Sequence, residues 1–140
     1  MIAIREVRRR FHERSAEWYS ATVLFGFGAV LMHPSPTFTS PSWDGFAQLG
    51  EEGTGLMIGG IGFVWLIALF INGARQMVTS TLRMICAFLG ALASGILCIG
   101  FLGAYFLSGI LTTGAWTYFM LSVYSLYALF HATKDKRRNG

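Results

Sequence analysis

Residues 84–133 contain no Asp, Glu, Lys or Arg. Charged residues fill about a quarter of an ordinary soluble domain, so an uncharged run of about 50 residues arises by chance on the order of once in a million. Such a run is long enough for two helical crossings of a bilayer, at about 20 residues each. The whole chain agrees: 13% of its 140 residues are charged and 54% are hydrophobic. These features predict an integral membrane protein.

Apolar stretches over 18–32, 55–72, 84–106 and 111–131 predict four transmembrane helices. Between them lie an outer loop (33–54), a cytoplasmic loop (73–83) and an outer turn (107–110). Residues 1–17 and 132–140 form basic cytoplasmic ends. A span of about 17 residues rises only ~26 Å, short for a hydrocarbon core of about 30 Å. The first two spans are therefore predicted to borrow residues at their ends, or to sit in thinned bilayer. The turn between the last two spans falls either at Ser108-Gly109 or at Thr112-Thr113-Gly114, both good turn chemistry.

Orientation follows from the basic residues. Arg5, Arg8, Arg9, Arg10 and Arg14 precede the first span, Arg75 and Arg83 flank the second connection, and Lys134, Lys136, Arg137 and Arg138 follow the last span. All eleven fall on one side of a four-span arrangement. The positive-inside rule makes that side cytoplasmic. The outer loop is acidic, through Asp44, Glu51 and Glu52. The first span reads as an uncleaved anchor, because no small-x-small cleavage site follows it. The net charge of +4 reflects this topology and does not point to nucleic acid.

Two segments read as lying on the membrane. Over residues 2–18, Ile4, Val7, Phe11 and Trp18 share one helical face, while Arg5, Arg8, Arg9 and Arg14 lie mostly on the other. That pattern suits an interfacial helix with arginines on anionic headgroups, as does the basic tail of Lys134, Lys136, Arg137 and Arg138. Setting topology alone explains the N-terminal arginines as well, and the residues leave both readings open. In the outer loop, Ser40 before Pro41 reads as an N-cap with proline at the first helical position. A short amphipathic helix on the outer leaflet is predicted from there to near Gly50, anchored by Trp43 and Phe46.

Small residues mark where helices approach closely in lipid, since lipid provides no hydrophobic drive for association. Gly55, Gly59 and Gly62 lie within reach of one face of the second span. In the third, Ala87, Ala91 and Gly95 form a stripe, with Gly90, Ser94 and Cys98 beside it. The third span is thus the predicted centre of the bundle or an oligomer contact. Tyr118, Ser122 and Ser125 share one side of the fourth span, and their hydroxyls need partners.

No ionisable residue falls deep within a span; Glu17 and His131 sit at span ends, where water is expected to reach them. Asn72-Gly73 reads as a helix C-terminus. Cys86 and Cys98 read as small packing residues. A carboxylate in the first span, closely spaced paired cysteines, or a serine–histidine or histidine cluster within the bundle are all missing. Proton-coupled exporters, thiol oxidases and intramembrane hydrolases need them. A carboxylate site of Asp44, Glu51 and Glu52 with His33 is the remaining enzymatic option, although solvated loop charges are far commoner. No cofactor is expected. Leu69-Phe70-Ile71-Asn72-Gly73 closes the second span and Leu82-Arg83 opens the third. With Tyr124-Ser125-Leu126-Tyr127 and the basic tail, the chain resembles small four-span membrane proteins encoded by tailed phages and prophages of proteobacteria. That resemblance implies no catalytic residue; its roles would include holin-like lysis or superinfection exclusion.

The fold expected is all-α: a membrane four-helix bundle with an N-terminal interfacial helix and a short helix in the outer loop. The function expected is that of a non-enzymatic inner-membrane protein acting through helix packing or oligomerisation. The alternative is an accessory subunit of a larger membrane complex. Its partners are then the lipid bilayer and either copies of itself or another membrane protein.

Overall fold

The computed structural model describes residues 14–71 and 76–139. The predicted interfacial helix over 2–18 lies almost wholly outside the described residues, as does the Asn72-Gly73 helix stop. Among the described residues the chain is all-helical. Helix α1 spans Ser15–Leu31, a 3-10 helix spans Pro41–Phe46, α2 spans Gly50–Ile71, α3 spans Gln76–Ser108 and α4 spans Thr113–Asn139. Both α2 and α3 are long and apolar enough to cross a membrane, and only 39% and 50% of their most apolar stretches are buried inside the protein. The core helix of a soluble domain would bury far more of itself.

The helices overrun the predicted spans. Helix α2 begins at Gly50 and carries Glu51 and Glu52 in its first turn, where carboxylates complement the helix dipole. Helix α3 starts in the polar stretch from Gln76, and α4 continues through the predicted tail to Asn139. Apolarity marks where hydrocarbon is tolerated; a helix, whose backbone bonds close on themselves, continues until a residue stops it. Gly109 is such a stop: φ is +72° and its N–H donates to the Tyr105 carbonyl at 2.8 Å. A left-handed residue costs least as glycine. The chain therefore turns at Ser108-Gly109, not at Thr112-Thr113-Gly114.

Helices α1 and α2 pack as one close pair, α3 and α4 as another, and α3 touches every other helical element. The α1–α2 contact is backbone against backbone. A Cβ on Gly28 would lie 2.2 Å from the Gly59 Cα, and one on Gly62 would lie 2.3 Å from the Phe25 nitrogen. Glycine at these crossings allows an approach that no side chain permits. Leu24, Ile58, Trp65, Ala87 and Leu97 are buried where the pairs meet.

The outer loop departs from its prediction. Ser40 does cap the 3-10 helix, its Oγ accepting from the Ser42 N–H at 3.3 Å. The helix ends at Phe46 and does not reach Gly50, which opens α2. Its aromatic residues turn inward. Phe46 is buried with its ring over Gly100, and Trp43 stacks on Phe38 at 4.4 Å and meets Phe101 edge-on at 4.8 Å. Six residues of 3-10 geometry form a plug against the C-terminal part of α3, because Gly100 leaves room for a ring.

Candidate functional site

The polar centre of the molecule lies at the opposite end. Glu17 sits in the first turn of α1, Arg83 near the start of α3, and Asp135 near the end of α4. Arg83 donates from Nε to Glu17 Oε2 at 2.7 Å and from Nη2 to Glu17 Oε1, a fork gripping both carboxylate oxygens. The same Nη2 lies 3.3 Å from Asp135 Oδ2, and Arg14 Nη2 reaches that oxygen at 3.3 Å as well. Side-chain exposure is 0% for Arg83 and 2% for Glu17, rising to 19% for Arg14 and 34% for Asp135. A dry inner pair is thus flanked by a wetter outer one.

Among the described residues, two guanidinium groups face two carboxylates, so their formal charges balance. Desolvating such ions costs several kcal/mol each, and only close pairing with good geometry offsets it. The bidentate fork supplies that geometry. Guanidinium offers no acceptor and does not give up its proton, so the central residue is not an acid–base catalyst. What the arrangement does is fix the ends of three helices in one register.

Glu17 was expected at a watered span end and is instead buried, because Arg83 arrives from a helix 66 residues away in sequence. Arg14, read from the sequence as a headgroup contact, has its guanidinium turned onto Asp135. His131 lies at an exposed bond to the Tyr127 carbonyl. The signal for the cluster was the presence of acids in segments otherwise rich in arginine and lysine: Glu17 three residues after Arg14, and Asp135 between Lys134 and Lys136.

The small residues fall at helix contacts. Gly55, Gly59 and Gly62 face α1, where Gly28 completes the crossing. That residue was not singled out from the sequence, although it too is a glycine in an apolar stretch. On α3, Ala87, Ala91 and Ser94 are buried, and Ser94 bonds back to the Gly90 carbonyl at 2.7 Å. Gly90 meets Leu24, Trp65 and Ser125 from three other helices, and Gly95 faces the Ser122 hydroxyl. Ser122 donates to the Ala91 carbonyl at 3.0 Å, joining α4 to α3. Cys86 and Cys98 are buried and unbonded.

Outer-loop acids do not gather around His33. Glu51 instead accepts from the backbone N–H groups of Thr37 and Phe38, pinning the loop, while His33 Nδ1 accepts from the Ser35 N–H at 3.2 Å. Among the described residues no three metal-binding side chains converge. Lys134, Lys136 and Arg137 are exposed. Arg5, Arg8 and Arg9, and the side chain of Arg138, lie outside the described residues. No protein-family model, curated protein or solved structure matches the chain.

Proposed function

We propose that the chain is a four-span protein of the cytoplasmic membrane, with both ends in the cytoplasm, that works through helix packing and not through catalysis. One observation carries this reading: broad apolar faces are exposed while an Arg–Glu ion pair is buried. Phe63, Ile67 and Phe70 of α2, with Phe88, Leu92, Ile96 and Ile99 of α3, are exposed, whereas Arg83 and Glu17 are sealed away. Apolar faces of that extent need hydrocarbon or a partner to cover them. The orientation rests on the basic residues alone, while the placing of three helix ends on one common side draws support from a contact in the fold. Residues 17, 83 and 135, which the positive-inside rule assigns to one side of the membrane, touch one another.

Within that frame the protein is a packing unit whose role resides in what its apolar faces meet. The phage resemblance makes an oligomer acting on the host membrane, by lysis or by exclusion of other phages, the leading version. Induced expression followed with a potential-sensitive dye tests the lysis role: depolarisation is expected, and a stable potential at high expression removes it. Native mass measurement of the detergent extract tests self-association. A homogeneous homo-oligomer is expected; a constant foreign partner would make the chain an accessory subunit instead.

A further inference from the structure

Helix α4 divides its charged residues between two faces. Asp135 turns inward to Arg83 and Arg14. Lys134 and Arg137, one turn apart, lie on the other side and have no ion-pair partner among the described residues. They stand at the end of a shallow groove of about 410 Å³ whose lining among the described residues lies on one face of α4 and includes Leu126, Leu129, Phe130 and Thr133. Thr133 spends its hydroxyl on the Leu129 carbonyl at 2.8 Å, so it adds no polarity to the groove. The result is an apolar strip along about two turns, closed at one end by two free cations.

The ionic cluster makes this charge matter. Arg14 and Arg83 are paired with Glu17 and Asp135, so these four residues add no net charge at this end of the molecule. Lys134 and Arg137 are uncompensated. An apolar strip below and a cation pair above complement a molecule with an acyl chain and an anionic head. On the membrane reading, this end faces the leaflet whose lipids carry negative charge.

We infer that the α4 groove binds an anionic glycerophospholipid of the cytoplasmic leaflet, its phosphate between Lys134 and Arg137 and one acyl chain along Leu126, Leu129 and Phe130. The inference rests on the proposed membrane location and adds to it a defined ligand class. It also separates Lys134 and Arg137 from Lys136, which does not line the groove.

Native mass spectrometry of the full-length, delipidated protein, titrated with phosphatidylglycerol or with phosphatidylcholine of the same chains, tests it. The wild-type chain is expected to prefer phosphatidylglycerol by roughly thirtyfold, the effect of two basic residues near a membrane surface. Lys134→Gln with Arg137→Gln should reduce that preference to within about threefold, and Lys136→Gln should leave it within about twofold of wild type. Leu129→Asn should weaken both lipids, because it damages the strip and leaves the cations. Equal preference in wild type and the double variant would overturn the site. So would an equal loss in Lys136→Gln, which makes the effect one of bulk charge. Displacement of the lipid by millimolar inorganic phosphate would overturn it too, by showing an anion site with no use for the acyl strip. Resistance of the same expressed protein to alkaline extraction from membranes is scored in parallel. An embedded protein without lipid preference defeats this inference alone; an extractable one defeats the membrane reading beneath it.

Discussion

Arg83 shows how far a single residue's setting departs from its sequence context. It opens a stretch in which nothing else is charged until Lys134, and its neighbours give it no counterion. The fold supplies Glu17 and Asp135 from α1 and α4, so the guanidinium is fully buried yet paired with two carboxylates. Removing one partner of such a pair leaves an uncompensated ion, typically at a cost of about 3–5 kcal/mol, whereas replacing both with apolar groups is often neutral. Glu17→Gln is therefore expected to destabilise the detergent-solubilised protein by about 3 kcal/mol, and Glu17→Leu with Arg83→Met by markedly less. Asp135→Asn should cost under about 1 kcal/mol, because its carboxylate is partly solvated. Unfolding midpoints in a common detergent measure all three. A double variant that is as damaged as the sum of the single ones would show that the pair is not a coupled unit. The acids Glu17 and Asp135 stood out in basic segments, but their pairing with Arg83 was not legible in the sequence, since the bonds join positions 66 and 52 residues apart.

At the scale of elements, the apolar stretches located the four α-helices of the described residues, because a run without charges is a property of the chain itself. Their ends were not legible. Polar residues such as Gln76, Thr79 and Ser80 continue α3 without interruption, since helical hydrogen bonding does not depend on the side chain's taste for lipid. The glycine positions were visible but not the partner they meet. A graded test follows from the geometry. A Cβ at Gly28 or Gly62 would overlap the backbone of the other helix, one at Gly59 would sit 3.1 Å from the Gly28 Cα, and Gly26 and Gly60 have nothing within 4 Å. Alanine at Gly28 or Gly62 is expected to cost about 3 kcal/mol or more and at Gly59 about 1 kcal/mol. At Gly26 or Gly60 it should be neutral or slightly stabilising through helix propensity. Equal thermal stability of Gly28→Ala and Gly26→Ala would contradict the close crossing. The outer plug offers a second element-level test. Phe46→Ala empties the space over Gly100 and should cost about 3 kcal/mol, with faster proteolysis of the outer loop as the local readout.

For the molecule as a whole, the two ends are built on different physics. One is closed by aromatic rings, Phe38, Trp43, Phe46 and Phe101, and the other by ions, Arg14, Glu17, Arg83 and Asp135. Between them, apolar side chains face outward along α2 and α3. In the proposed setting, the ionic end lies at the cytoplasmic border and the aromatic end at the periplasmic one, with hydrocarbon around the middle. Paired reporters, one fluorescent only in the cytoplasm and one active only in the periplasm, decide this when fused after Thr39, Arg75, Leu111 and Gly140. Periplasmic signal after Thr39 and Leu111, with cytoplasmic signal after Arg75 and Gly140, is the predicted result. Periplasmic signal from the Gly140 fusion, or a chain that stays dispersed in buffer without detergent, would contradict the account.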